Sequence, residues 1–321
     1  MVACFNDMQA TTMRQAFGSL RSTDVAASIP LPEGQWLDVD GIRTRYHAAG
    51  DGAPIVFIYG GNFGTADSTS SCYTWNLNMT PLADHFRVVA LDKLGQGYTD
   101  NPAVDSDYTM SAVVAHAARF IQLMNLPPVH LVGHSRGGYA AARLTLLHPD
   151  LVNSLTIVNS GTLSAGVGTN EVVLGGCPHP KGTPESVRWV YENYSYSPSV
   201  VTDEWVAEVM KVLQLEKHSV AVKKMSAEKL GASLFLPSLA GEKRETLQWI
   251  DDGRLQRPTQ VIWGLNDRTA HLARGVDLYK RIARHDRHAL FHCFNESGHF
   301  PFREHPAQFN AALASFVRLH S

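Results

Sequence analysis

Short, nearly unbroken runs of apolar residues recur along the chain, and stretches of helical periodicity lie between them. The apolar runs occupy residues 55–58, 88–91, 129–132, 155–158 and 260–263. Such runs are typical of strands that are buried on both faces of a parallel sheet. The intervening amphipathic stretches, notably 110–124 and 138–148, have the length of helices. This alternation predicts a doubly wound α/β domain whose sheet is covered by helices on both sides.

The pattern differs at the two ends of this region. Residues 36–39 and 42–46 alternate around Asp40-Gly41, a dipeptide favoured in tight primed turns, and therefore predict an antiparallel hairpin at the sheet edge. Near the C-terminus, residues 291–294 predict a last strand, followed by a helix from Pro306 onward. The sheet is therefore expected to be parallel except at the hairpin.

The alternation stops after Asn159, and about eighty residues rich in Gly, Pro, Tyr, Trp, Met and Val precede the strand at 260–263. A structureless loop of that length is improbable in a compact domain. We therefore expect an inserted helical cap with helices near 184–194, 202–213 and 220–229. The predicted organisation is an N-terminal arm (1–34), an α/β core (35–160 and 240–321) and a helical cap (161–239).

Composition limits the partners and the compartment. The 28 basic and 30 acidic residues provide no field that would attract nucleic acid or an anionic membrane. The partner expected is a small molecule, and a homo-oligomer remains open. The four cysteines are far apart without a CxxC pair, residues 1–20 lack the apolar core of a signal peptide, and no apolar run approaches the length of a membrane span. These features favour a cytoplasmic protein.

A nucleophile elbow is the most specific chemical signal. Gly-His-Ser-Arg-Gly at residues 133–137 lies directly between a predicted strand and a predicted helix. In that context a Gly-x-Ser-x-Gly pattern exposes a strained serine above the sheet. We therefore predict Ser135 as a nucleophile.

A serine hydroxyl needs a base, and the base needs an orienting group. Asp267 follows the strand at 260–263, and His299 follows the strand at 291–294. Each residue lies beyond the carboxyl end of its strand, where open α/β sheets assemble their sites. Asp267 taken alone is more typical of a turn, but the order Ser, Asp, His is that of α/β-hydrolases. The predicted catalytic triad is Ser135, Asp267 and His299.

The negative charge that develops on an attacked carbonyl needs hydrogen-bond donors. One predicted donor is the backbone N–H of Arg136, at the positive end of the helix. The other comes from the glycine-rich loop after the first parallel strand, where Gly60, Gly61 and Asn62 lie and Gly61 is favoured. This loop lacks dinucleotide-binding spacing, so we expect no nucleotide cofactor.

Three histidines near the C-terminus, His285, His288 and His292, are candidates for a metal site because imidazoles one turn apart can share an ion. Their neighbours are mainly arginines, and no carboxylate or cysteine completes a tetrahedral ligand set at the spacing typical of metal-binding families. The expectation is therefore neither a metal nor an organic cofactor.

Taken together these residues resemble an α/β-hydrolase from about residue 35 to 319, including the turn at 91–99, which is similar to the family's Asp-x-x-Gly-x-Gly-x-Ser turn. Segments 132–138, 148–150, 262–268 and 297–305, and cap residues 196–204, are similar to meta-cleavage product hydrolases. That resemblance implies a carbon–carbon bond hydrolase of 2-hydroxy-6-oxo-dienoates in aromatic degradation. His299 would assist ketonisation, Ser135 would attack, and no cofactor would be needed.

Substrate-binding expectations follow from the resemblance and from the cap. Phe300 stands where relatives often carry tryptophan, and Trp205 is among the aromatic residues that suggest an apolar pocket. Val209 stands where relatives carry the arginine that holds the dienoate carboxylate, so Arg188 or Lys211 would have to replace it.

If neither cation points inward, an ester or lactone is favoured as substrate. A carboxylesterase or lactonase is thus the alternative enzyme. A small-molecule receptor with vestigial hydrolysis is the alternative from another class.

Overall fold

A sheet of eight strands runs through residues 29–166 and 169–321, the part of the chain that the computed structural model describes. The strands are β1 (Gly34–Val39), β2 (Ile42–Ala49), β3 (Pro54–Ile58), β4 (Arg87–Leu91), β5 (Val129–His134), β6 (Val152–Val158), β7 (Thr259–Gly264) and β8 (Leu290–Phe294). Their order is β1-β2-β4-β3-β5-β6-β7-β8. The predicted N-terminal arm lies largely outside the described residues.

The sheet has the predicted mixture of strand directions. β1 and β2 form an antiparallel hairpin, and β2 pairs antiparallel with β4, with Tyr46 opposite Leu91. The remaining pairings are parallel. Asp40 and Gly41 both have positive φ, 51° and 89°, as a primed hairpin turn requires. The predicted doubly wound α/β architecture is confirmed.

Eleven helices accompany the sheet in the described part of the chain. They are α1 (Asn76–Ala83), α2 (Met110–Leu123), α3 (Arg136–Leu147), α4 (Asn170–Gly175), α5 (Pro184–Tyr194), α6 (Asp203–Leu213), α7 (Glu216–Ser226), α8 (Leu236–Asp251), α9 (Leu272–Ala283), α10 (Pro301–Glu304) and α11 (Pro306–Leu319). None of these helices combines the length and apolar character needed to cross a bilayer.

The central strands are buried on both faces, which explains their unbroken apolar sequences. In β3, Val56 and Ile58 join an apolar cluster that includes residues of α2 and α3. The alternate residues Ile55 and Phe57 join a second cluster, which includes residues of α1 and α11. It also includes residues of α5 and α6, which belong to the segment between β6 and β7 that is called the cap from here on. The sheet is thus packed between two layers, because side chains of a strand alternate between its faces.

The segment between β6 and β7 is mainly helical. α5 has the bounds expected, and α6 begins one residue later than expected because Thr202 is its N-cap and accepts a hydrogen bond from the Trp205 N–H (3.2 Å). α7 begins and ends earlier than the stretch 220–229. The predicted cap boundary at 239–240 falls inside the continuous helix α8 and stays a prediction.

Candidate active site

Ser135 forms a strained turn between β5 and α3. Its φ of 54° and ψ of −123° are unfavourable for a residue with a side chain. Two hydrogen bonds hold this conformation: the Ser135 N–H donates to the Val158 carbonyl (2.8 Å), and the Ser160 hydroxyl donates to the Ser135 carbonyl (2.6 Å). This is the conformation of a nucleophile elbow. The residue is partly exposed, so a small molecule can reach it.

The glycines around Ser135 are required by close backbone packing. A Cβ at Gly137 would lie 2.2 Å from the Ile58 carbonyl oxygen, and one at Gly133 would lie 2.3 Å from the Gly137 carbonyl oxygen. Real Cβ contacts are not that short. The turn can therefore be this tight only with glycine at both positions.

Asp267 and His299 form a direct, buried pair beyond the ends of β7 and β8. Asp267 Oδ2 lies 2.7 Å from His299 Nδ1, and both residues are only 3% exposed. The Asn159 amide donates to Oδ2 (2.6 Å). The second oxygen, Oδ1, accepts hydrogen bonds from the Thr269 N–H and hydroxyl (2.8 Å each) and from the Ala270 N–H (2.9 Å).

These contacts keep the Asp267 carboxyl charged. Burial by itself raises its pKa, but the neighbouring His299 and the hydrogen bonds outweigh burial and hold the pKa below the ordinary value. An ionised Asp267 fixes the tautomer of His299 that carries its proton on Nδ1. The other ring nitrogen, Nε2, is then left as a base.

Ser135 and His299 are brought together through His134. The His134 Nε2–H donates to the His299 carbonyl (2.9 Å), and the centres of the two rings are 4.7 Å apart. Within the described ranges, no hydrogen bond joins the Ser135 hydroxyl to the His299 ring. Such bonds often tighten only when substrate is bound. All three predicted triad residues nonetheless lie at one edge of the sheet.

The candidate oxyanion loop, residues 60–64, lies against the elbow. A Cβ at Gly60 would be 2.8 Å from the Ser135 Cβ, and Gly61 has a φ of 85°, which favours glycine. The Asn62 side chain accepts a hydrogen bond from the Phe63 N–H (2.8 Å) and so is turned back onto its own loop. Arg136 begins α3, and its guanidinium lies 5.7 Å from the centre of the Phe235 ring.

Lys93 is a buried cation beside this loop that the sequence analysis missed. Its ammonium donates to the carbonyls of Gly60 (2.8 Å) and Gly61 (3.3 Å). Burial and the neighbouring Arg136 hold its pKa well below the usual range. Its only sequence signal is a lysine directly after Asp92 in the turn at 91–99.

An aromatic wall stands beside His299. The Phe300 ring lies 5.4 Å from the His299 ring and 5.2 Å from the Trp205 ring, and it stacks on Tyr191 at 5.7 Å. The structure therefore brings together the two aromatic residues that the sequence analysis named, one from the core and one from cap helix α6.

Arg188 and Lys211, the two cations proposed from sequence to hold a substrate carboxylate, are bound to other residues of the cap. Arg188 donates to the Val201 carbonyl (2.8 Å) and forms ion pairs with Asp203 and with Glu192, whose carboxylate is 3.7 Å away. Lys211 is exposed and pairs with Glu208 (2.5 Å). Both cations are held by partners on the cap, and the structure does not bring either one together with Ser135.

Arg303, also missed by the sequence analysis, is a buried arginine behind the aromatic wall. One end of its guanidinium, Nη1, donates to Asn76 Oδ1 (2.7 Å) and to the carbonyls of Thr74 (3.1 Å) and Tyr73 (3.4 Å). The guanidinium carbon is 3.9 Å from the centre of the Trp205 ring. Burial lowers its pKa to about 10. In residues 29–166 and 169–321, it has no carboxylate partner, and Nε has no hydrogen-bond partner.

The histidine cluster does not form a ligand set. His285 Nε2 bonds the Asp251 carbonyl (2.8 Å), and the Arg287 Nε donates to the His288 ring (3.0 Å). Over the described part of the chain, no group of three potential ligands could hold a metal ion.

Comparison with known proteins agrees with the fold described above. Residues 53–176 match a family model described as the alpha/beta hydrolase fold. A structure of the meta-cleavage product hydrolase CumD from Pseudomonas fluorescens IP01 superimposes with a TM-score of 0.72 and 23% identity, covering 90% of this chain and 98% of that one. The chain has the α/β-hydrolase fold.

Proteins similar to the chain in sequence are enzymes with related names. A 2-hydroxymuconate semialdehyde hydrolase of Pseudomonas sp. (strain CF600) is 28% identical, covering 86% of this chain and 91% of that enzyme. A 2-hydroxy-6-oxo-6-(2'-aminophenyl)hexa-2,4-dienoic acid hydrolase of Metapseudomonas resinovorans is 27% identical, covering 88% and 90%. The predictions of an α/β-hydrolase enzyme and of its resemblance to meta-cleavage product hydrolases are confirmed.

Proposed function

We propose that this protein is a serine hydrolase whose catalytic triad is Ser135, His299 and Asp267. The observation that carries the proposal is the buried Asp267–His299 pair, 2.7 Å between Oδ2 and Nδ1, at the sheet edge where Ser135 adopts the strained conformation of a nucleophile elbow. A protein that only bound its ligand would need neither the strained serine nor the oriented imidazole.

In this mechanism His299 Nε2 accepts the Ser135 hydroxyl proton as the serine oxygen attacks a carbonyl carbon. The carbonyl oxygen becomes negatively charged and accepts hydrogen bonds from the backbone N–H of Arg136 and from backbone N–H groups of the loop after β3, where Gly61 is the favoured donor. His299 then returns the proton to the leaving group. Water, activated by the same imidazole, releases the acyl group from Ser135.

The substrate that the relatives favour is a ring-cleavage dienoate. After ketonisation, attack at its C6 carbonyl would break the bond between C5 and C6, and the departing carbon would take up a proton. Addition of one water gives two carboxylic acids. The aromatic wall of Phe300, Trp205 and Tyr191 suits an apolar or aromatic substituent, and Arg303 is a buried cation that could hold the dienoate carboxylate.

A carboxylesterase or lactonase is the second candidate, and a specific observation favours it. The two substitutes proposed from sequence for the relatives' carboxylate-binding arginine, Arg188 and Lys211, are held in ion pairs on the cap. The resemblance itself places Val209 at that arginine's position. If Arg303 does not bind a carboxylate either, a neutral ester or lactone fits better.

Activity on three substrates distinguishes the two proposed functions. Purified protein is given a coloured 6-aryl dienoate, a short p-nitrophenyl ester and a lactone, and kcat/KM is measured for wild type and Ser135→Ala. We expect the dienoate to be preferred and the variant to lose at least ~10³-fold in kcat, since the nucleophile is gone. An ester or lactone preference would reject carbon–carbon hydrolysis. Background rates on all three would reject the enzyme and favour a receptor.

A further inference from the structure

Lys93 is buried, and burying the ammonium group of a lysine has a large desolvation cost. It follows Asp92 after the end of β4, is 1% exposed, and has no carboxylate within ion-pair distance in the described residues. The adjacent Asp92 carboxylate is otherwise engaged, because it accepts hydrogen bonds from the N–H groups of Cys72 (2.8 Å) and Tyr98 (3.0 Å). An ammonium removed from water loses several kcal/mol of solvation unless other groups replace that solvation.

Groups of the oxyanion loop replace the lost solvation of the Lys93 ammonium. The ammonium donates to the Gly60 and Gly61 carbonyls, and it lies 4.9 Å from the centre of the Tyr59 ring, within the range of a cation–π contact. The Tyr59 hydroxyl in turn accepts a hydrogen bond from the Lys93 N–H (3.3 Å). Lys93 is therefore bound to three successive residues of the segment that passes over Ser135.

Peptide geometry connects these contacts to the chemistry. In a planar trans peptide the C=O and the N–H of the same unit point in opposite directions. Because the Gly60 carbonyl points to Lys93, the Gly61 N–H of that unit points away from it. In the next peptide unit the Gly61 carbonyl also points to Lys93, so the Asn62 N–H points away from it. A cation at both carbonyls also polarises the two amides and strengthens their N–H groups as donors.

We propose that Lys93 is a positioning residue for the oxyanion hole, where its ammonium fixes and polarises the Gly60–Gly61 and Gly61–Asn62 peptides so that their N–H groups receive the developing negative charge. The inference rests on the proposed function. It adds a residue that touches neither the substrate nor the triad, but acts through the loop backbone.

The first test measures how fast a fluorophosphonate labels Ser135, because any competent serine hydrolase nucleophile attacks this reagent. The values of kcat and KM on p-nitrophenyl acetate are measured alongside. Lys93→Met removes the donor at similar length, and Lys93→Gln restores a neutral donor. We expect Lys93→Met to lower the labelling rate and kcat by ~10- to 100-fold with KM within about twofold, somewhat less than the loss of a direct oxyanion donor. Lys93→Gln should recover part of the loss.

Lys243→Met is the matched control, because Lys243 also donates to a glycine carbonyl, that of Gly166 (2.8 Å), but lies on α8 away from Ser135. It should leave labelling unchanged. Unlabelled wild type would reject the proposed function and this inference with it. Labelled wild type with an equally reactive, folded Lys93→Met would reject only the inference.

The wild-type pH profile tests the proposal even if the variants do not fold. The charged groups facing the ammonium are Arg136 and Asp92, while burial raises the pKa of both Tyr59 and Cys72 well above their usual ranges, so neither titrates first. Because burial lowers the pKa of Lys93, kcat should fall as pH rises into the range below the ordinary lysine pKa. A kcat that is flat to pH 10 would contradict the proposal.

Discussion

Arg188 and Arg303 are both arginines in contact with cap residues, but their surroundings give them different roles. Arg188 has two carboxylate partners and a carbonyl, so its charge is already neutralised. Arg303 is buried, uses only Nη1 for hydrogen bonds to neutral oxygens, and leaves the edge formed by Nε and Nη2 without a partner within the described residues. That edge has the geometry that binds a carboxylate with two parallel hydrogen bonds.

Arg303→Met is therefore expected to raise KM for a dienoate by ~10- to 100-fold, the value of a charge-assisted hydrogen-bond pair, and to change KM for a neutral p-nitrophenyl ester by less than about threefold. Steady-state kinetics on both substrates measures the difference. Arg188→Met is the comparison variant, because sequence alone favoured that residue. An equal rise in KM on both substrates would mean that Arg303 is structural. A rise in KM for the dienoate alone in Arg188→Met would mean that the substrate carboxylate binds at Arg188 on the cap surface.

At the scale of elements, the loop that carries His299 is joined to the cap. The His299 N–H donates to the Tyr194 carbonyl at the end of α5 (2.8 Å). Glu304 of α10 accepts hydrogen bonds from the Tyr196 N–H (2.5 Å), the Gly298 N–H (2.7 Å) and the Ser297 hydroxyl (3.0 Å). The position of the base thus depends on how α5 is seated.

Gly298→Ala tests this connection, because the added Cβ would lie 2.5 Å from the Tyr194 carbonyl oxygen and must separate the loop from α5. We expect kcat to fall ~10-fold or more and stability to fall by ~1–3 kcal/mol, the usual range for overpacking. Gly241→Ala in α8 is the control, since no atom lies within 4 Å of the added Cβ. There the same change should stabilise the helix by ~0.5–1 kcal/mol. Unchanged kcat in Gly298→Ala would mean that α5 does not position His299.

On the scale of the whole molecule, buried histidines couple folding to pH. Burial lowers the pKa of His116, His130 and His218 to about 4. A histidine with a folded pKa below its unfolded value of about 6.5 stabilises the fold above pH 6.5, and this contribution is lost as pH falls toward 4. Burial raises the pKa of Glu304, which acts in the opposite sense, but this single carboxyl is outnumbered by the histidines whose pKa is lowered.

We therefore expect the free energy of unfolding to decrease between pH 7.5 and pH 5, with each of the three histidines contributing ~2 kcal/mol at pH 5. Urea unfolding at the two pH values measures the decrease. His116→Gln should reduce the pH dependence, because the amide can still meet the Thr44 hydroxyl, which lies 2.9 Å from His116 Nε2, but does not titrate. Stability that is constant or higher at pH 5 would contradict the expectation.

The sequence by itself determined where the strands lie along the chain, the Asp40-Gly41 hairpin turn and the elbow at Ser135. These features depend on local rules: the period of apolar residues, the conformations open to glycine and the fixed spacing of a strand, a turn and a helix. Asp267 and His299 could also be selected, because residues that follow parallel strands meet at one sheet edge.

Only the tertiary structure decided which charged side chains are buried and what they contact. Lys93 meets the Gly60 carbonyl, and Arg303 meets Trp205, across many residues of sequence, and neither contact leaves a periodic or spaced pattern. The same limit applied to Arg188, whose ion pair with Asp203 depends on how α5 and α6 pack. Burial and pairing set the charge that a side chain offers a substrate, and both arise from contacts that form only when the chain is folded.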